Sequence, residues 1–204
     1  MRIGITRTAM LLLAVLGAAA DLWAQNLSDA RRLYDSGKYR EAVGAISNPD
    51  AANAPRLVYL KAQSHEKLGE SEEAGRVYGQ LSGAGAEWKS VAESAMDLLR
   101  RQKKEALAAA ARAVSQNGGL AEAQYQLGLA ASFNDDFARA ASAFDRAAEI
   151  DPQWAYARYY AGLAYYKAKR IDLVAARFEA FLKLAPNAPE RPEVESIMRT
   201  LRGR

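Results

Sequence analysis

Apolar residues recur three and four positions apart over most of the chain, and glycine or polar runs break them at short intervals. This predicts helices joined by tight turns. Leu27, Ala30, Leu33 and Tyr34 mark a first helix over Asn26–Ser36. Gly37 can leave that helix at positive φ without a Cβ penalty, Tyr39 covers the turn, and Ala42 lets a short returning helix approach closely. Asn48-Pro49 stops it, and Asp50–Ala54 reads as a linker. Pro55–Leu68 supplies the next helix, with Val58, Ala62 and His65 on one face. Beyond Gly69 its partner carries Glu72, Ala74, Val77, Tyr78 and Leu81. Ser71 stands where the first turn has an aromatic residue, so this hairpin is expected to be less well plugged.

Glu87–Arg100 and Glu105–Ser115 form a third pair, in which two registers compete. Counting from the second helix places Glu93 and Ser94 where a large and a small apolar residue belong. Counting from the first makes Trp88, Val91, Ala92 and Ala95 the packing face, and requires the basic turn Arg100–Lys104 to be about two residues longer than usual. The longer turn is the expected account, because burying Glu93 unpaired is costly. Ala106–Ala111 is nearly featureless and predicts very close helix packing, and Asn117-Gly118-Gly119 is a strong stop.

Ala121–Ala188 then holds two consecutive copies of one 34-residue pattern. Gln124, Leu127, Gly128, Ala131, Phe137, Ala140, Phe144, Ala147 and Pro152 make up the first copy. Arg158, Ala161, Gly162, Tyr165, Ile171, Val174, Phe178, Phe181 and Pro186 answer them in the second. Val174 and Phe181 stand where alanines are expected, so the helices of this fifth pair should sit slightly farther apart. A closing stripe of Val194, Ile197, Met198 and Leu201 follows Pro189 and Pro192.

These residues and their period resemble the tetratricopeptide repeat family. The resemblance implies an all-α fold, a right-handed α-solenoid of about five helical hairpins plus a C-terminal capping helix. Residues 25–188 would form the solenoid and residues 189–204 the cap, which covers the apolar edge of the last layer. It also implies a concave surface, lined by the first helix of each pair, that holds an extended peptide or a partner helix. The residues at those positions are Arg31, Tyr34, Tyr59, Gln63, Lys67, Tyr125, Leu129, Phe133, Tyr156, Tyr159, Leu163, Tyr166 and Lys167. They lack the dense Lys/Arg/Asn set of a carboxylate clamp. Their aromatic rings instead offer large contact area with hydroxyl handles. The competing reading is that several of these tyrosines pack between repeats.

The N-terminus reads as a separate piece. Arg2 and Arg7 precede an uncharged run, Ala9–Ala20, that closes on small residues, which is the layout of a secretory signal peptide over residues 1–24. The run is about 18 Å as a helix, too short for a hydrocarbon core of about 30 Å. Cleavage before Asp21 or before Gln25 both fit; the second removes Trp23 and leaves a polar start. The competing reading is an uncleaved anchor. After processing no stable transmembrane segment is expected, and the location would be the periplasm or the secreted space.

Composition narrows the chemistry. The 204 residues include no cysteine, which removes disulfides, lipid-modified cysteine and thiolate ligands. A formal charge of +4, spread along the chain without a basic block, gives no sign of nucleic acid. His65 is the lone histidine and reads as structural, with no local nucleophile to serve. Asp135-Asp136 lacks the alternating oxygen ligands of a calcium loop and reads as a turn with an N-cap aspartate. Lys103-Lys104 reads as solvated surface, and the acceptor-like Asn26-Leu27-Ser28 carries no inference. Neither catalysis nor a cofactor or metal is expected. The expected function is a non-enzymatic protein- or peptide-binding scaffold of the bacterial cell envelope. The alternative is an accessory or regulatory subunit that binds cell-wall glycan or polysaccharide-processing machinery. Homo-oligomerisation through an uncovered end is a third outcome.

Overall fold

Five turns set the architecture. The structure, a computed structural model, describes residues 25–47 and 49–203. The expected signal peptide and its cleavage sites lie outside the described residues, as do Asn48 and Arg204. The helices pair as α1 (residues 25–35) with α2 (Tyr39–Ala45), and α3 (Pro55–Lys67) with α4 (Ser71–Gly79). Next come α5 (Ala86–Leu99) with α6 (Lys103–Gln116), α7 (Ala121–Phe133) with α8 (Phe137–Ile150), and α9 (Ala155–Lys167) with α10 (Ile171–Leu184). A 3-10 turn, Gln80–Gly83, follows α4, and α11 (Arg191–Arg202) closes the chain. The described residues are all-α, a solenoid of helical hairpins in which, from α2 onward, each helix packs on the next.

Within every hairpin the turn has three residues, and the middle one takes a left-handed conformation. Its φ is +76° at Gly37 and Gly69, +61° at Arg101, +62° at Asp135 and +59° at Lys169. The N–H after it donates back to the carbonyl five residues earlier in each case: Lys38 to Leu33, Glu70 to His65, Gln102 to Asp97, Asp136 to Ala131 and Arg170 to Tyr165, at 2.8–3.0 Å. This closing motif satisfies carbonyls that the helix end leaves free. Glycine adopts it without cost, whereas the three other residues are held there at about 1–2 kcal/mol each.

The common turn corrects the expected register of the third hairpin. Arg100–Gln102 is no longer than the other turns, so Glu93 and Ser94 do stand at the positions of Leu127 and Gly128. The cost expected for Glu93 does not arise. Its side chain is half-exposed and paired with Arg112 of α6 at 2.8 Å. Ser94 belongs to a buried column of small residues, Ala30, Ala62, Ser94, Gly128 and Gly162, each seven places before its turn residue. Opposite that column, nine places after the turn, stand Ile46, Tyr78, Ala110, Phe144 and Phe178. Ser94 Oγ donates to the Ala106 carbonyl at 3.0 Å, a side chain reaching the backbone of the facing helix, as very close α5–α6 packing requires. The fifth hairpin is not looser at this column. A Cβ on Gly162 would meet Phe178 at 2.6 Å, the same distance that a Cβ on Gly128 would find to Phe144.

The solenoid also curls until its early hairpins touch its late ones. Tyr34 meets Tyr156 with ring centroids 5.2 Å apart, and Tyr59 meets Trp154 at 6.2 Å. Gln126 donates to the Tyr59 hydroxyl at 2.8 Å. Ion pairs join Arg31 to Asp151 at 2.7 Å, Arg56 to Glu122 at 3.3 Å and Lys67 to Glu190 at 3.0 Å. The connection ahead of α11 belongs to this closure, since a Cβ on Gly37 would lie 2.6 Å from Pro189. Val194 and Met198 of α11 are buried. Deleting residues 189–204 therefore removes both the cover of the fifth hairpin and the Glu190 link to the second. The truncated chain is expected to associate, with a light-scattering mass above the monomer value; an unchanged mass would show that α11 covers no adhesive surface.

Candidate functional site

The residues expected to line a concave surface divide into a buried set and an accessible one. Tyr34, Tyr59, Gln63, Tyr125, Tyr156 and Tyr159 are buried. Their rings pack on one another and on the tryptophans. Tyr125 stacks on Trp154 with centroids 4.4 Å apart and planes at 19°, and Tyr159 lies 5.1 Å from Phe181. The hydroxyls of Tyr59, Tyr156 and Tyr159 have internal partners. Tyr156 donates to Glu190 at 2.6 Å, and burial, reinforced by that carboxylate, pushes the hydroxyl pKa well up. Trp88, Val91, Ala92 and Ala95 of α5 are buried as well. Val91 stands ten places before its turn residue, the place that Tyr59, Tyr125 and Tyr159 hold in their hairpins, so this apolar stripe faces the same interior.

The remaining expected residues are at least partly accessible. Arg31 pairs with Asp151 and lies 5.5 Å from the Trp154 ring centroid. Lys67 sits over Tyr156 at 4.8 Å. Leu129, Phe133 and Leu163 are half-buried, with the Lys103 ammonium 5.0 Å from the Phe133 centroid. Tyr166, at 36% exposure, and Lys167 are open to solvent. Gln124 turns outward and donates to the Gly118 carbonyl at 3.1 Å.

An accessible concavity does survive where α1 faces the α10–α11 connection. It is a cleft of about 680 Å³. Arg31, Arg32 and Asp35 line it from α1, Arg56 from α3, Asp151 from the α8–α9 connection and Lys183 from α10. Leu27, Leu184, Ala185 and Pro186 supply apolar wall, and Gln153 and Asn187 supply amides. Arg31 is committed to Asp151, Arg56 to Glu122, and Arg32 to Asp29 at 3.0 Å on the surface. Lys183 makes no ion pair among the described residues. Sequence reasoning singled out only Arg31 in this cleft. Of the other walls, Leu27 and Pro186 are repeat positions that read as packing, and the rest come from helix ends and connections.

The residues considered for chemistry have structural partners. His65 is buried, with Nδ1 2.7 Å from a Glu70 carboxylate oxygen. Asp136 caps α8 by accepting the Arg139 N–H at 3.1 Å, and Asp135 is the left-handed turn residue. Among the described residues no group of three or more His, Cys, Asp or Glu could hold a metal ion. No helix among them is long and apolar enough to cross a membrane.

No family model matches the chain, and no curated protein does. Solved structures do match. TTC0263, a thermophilic TPR protein in Thermus thermophilus, is 18% identical, with a TM-score of 0.60 over 88% of this chain and 98% of that one. YrrB, a TPR protein with an unusual peptide-binding site, is 20% identical, with a TM-score of 0.52 over 84% of this chain and 90% of that one. The repeated turns, the column of small residues and these likenesses agree: the chain has the tetratricopeptide-like helical-repeat fold.

Proposed function

We propose that the protein is a noncovalent binding scaffold for another protein or an extended peptide, and that the cleft between α1 and the α10–α11 connection is its accessible docking surface. The observation that carries this reading is the cleft's composition. Four cationic side chains against two carboxyl groups, beside an apolar wall, suit an extended segment that bears carboxylates next to an aliphatic side chain. Lys183 and Arg32 are the cations least committed to internal partners. Trp88 and Trp154 are buried and offer no stacking platform for a glycan. A role in the bacterial cell envelope rests on the signal-like pattern of residues 1–24 and would be tested by N-terminal sequencing of exported protein; a mature chain beginning at Met1 would remove it.

Fluorescence anisotropy with a leucine-containing, Asp/Glu-rich peptide tests the cleft. The peptide is expected to bind with an affinity that falls as salt rises, and Arg32→Glu combined with Lys183→Glu is expected to weaken it about tenfold or more. A neutral peptide of the same length that binds equally well, or a charge-reversed variant that binds unchanged, would place the docking surface elsewhere.

A further inference from the structure

The seam between the first two hairpins and the last two contains an unresolved electrostatic conflict. Asp35 at the end of α1 and Glu122 at the start of α7 line one small pocket of about 10 Å³ that adjoins the cleft, roughly the room one water needs. Arg31, Arg56, Tyr59, Gln63 and Trp154 also stand on its wall. Asp35 Oδ1 and Glu122 Oε2 are both buried without a hydrogen-bond partner among the described residues. The nearby cations are already engaged, Arg31 with Asp151 and Arg56 with Glu122. The buried oxygen of each carboxyl disfavours the ionised form, whereas a protonated one is tolerated and can itself donate.

We propose that closure of the superhelix is gated by protonation: with Asp35 neutral the seam stays shut, and its ionisation loosens the first two hairpins from the last two and uncovers the aromatic inner face. The groups that face Asp35 set the balance. Arg31 on its own helix favours ionisation, and Glu190 ahead of α11 and Asp151 of the α8–α9 connection oppose it. Arg56 and Tyr59 of α3 and Glu122 of α7 share the pocket wall, with Arg56 already paired to Glu122. Burial pushes the Asp35 carboxyl up to about 7 against Arg31, with Glu190 and Asp151 adding to the rise. Burial raises Glu122 in the same direction, against Arg56. Because the closed state binds this proton more tightly than an opened or unfolded one, closure is favoured in acid. It weakens as pH climbs from the ordinary aspartate range, about 4, through about 7. The inference draws on the binding reading only for the use made of the uncovered face.

The absence of cysteine makes a direct test straightforward. Lys38→Cys and Arg191→Cys, both exposed, would carry spin labels on the first hairpin and on α11, and pulsed electron resonance would read their separation with no partner added. One short distance is expected at about pH 5.5, and a second, longer population at about pH 8.5. Asp35→Asn is expected to keep the short distance at both. An identical distribution at the two pH values in the labelled protein would overturn the proposal, whether or not the variant folds. So would a pH response that survives in Asp35→Asn. Failure of peptide binding leaves the distance result untouched, so the two readings fail separately.

Discussion

Replacing Trp154 by alanine is expected to lower stability by about 3–5 kcal/mol, the range for truncating a large buried ring. Trp154 is 5% exposed and stands just before α9, where its ring bridges hairpins distant in sequence. It stacks on Tyr125, meets Tyr59 edge-on at 6.2 Å and receives the Arg31 guanidinium at 5.5 Å. Truncation therefore removes dispersion contacts to α3 and α7 and a cation–π contact to α1 in one step. The second expected sign is loss of cooperativity. With the bridge gone, the first two hairpins have less reason to unfold together with the last two. Urea unfolding followed by circular dichroism should show a lower midpoint and a broadened or biphasic transition. A single transition shifted by less than 1 kcal/mol would mean that the ring fills space without joining the ends.

Gly128→Leu is expected to cost about 3 kcal/mol, at the upper end for overpacking. A Cβ alone would lie 2.6 Å from two carbons of the Phe144 ring, before the rest of the side chain is placed. That ring has nowhere convenient to retreat. Tyr125 stands 5.4 Å from it on one side and Tyr160 5.5 Å on another, centroid to centroid. Calorimetry would measure the loss. Gly128→Ala combined with Phe144→Leu should lose less than the sum of the single changes, because the smaller partner makes room for the added methyl. Strict additivity of the pair would argue against direct contact between these two positions.

The hairpins, their number and the capping segment were legible because each depends on neighbours within about 34 residues. The third hairpin was misplaced for a physical reason. In an open solenoid the inner face is polar, so an apolar stripe such as Trp88, Val91, Ala92 and Ala95 reads as the face that packs helix on helix. Here the inner face is itself core, and the stripe belongs to it. The column of small residues carried the correct register, since Ser94 remains small and its hydroxyl finds the Ala106 carbonyl. Closure was the illegible part. It rests on pairs such as Arg31 with Asp151 and Lys67 with Glu190, which lie 120 and 123 residues apart and follow no period. One signal could have announced it. Tyrosine, valine or another apolar residue occupies the same inner position in hairpin after hairpin, more apolar surface than an aqueous groove would carry.

The contact of Gly37 with Pro189 bears on how such a chain can change its size. Repeat proteins with free ends gain or lose units readily, since each unit answers only to its neighbours. This one has a fixed circumference. A sixth hairpin inserted before α9 would carry Trp154, Tyr156 and Glu190 past their partners on α1 and α3, leaving Tyr34, Tyr59 and Lys67 facing water. Duplication of a unit, a neutral step for an extended array, is here a change of fold.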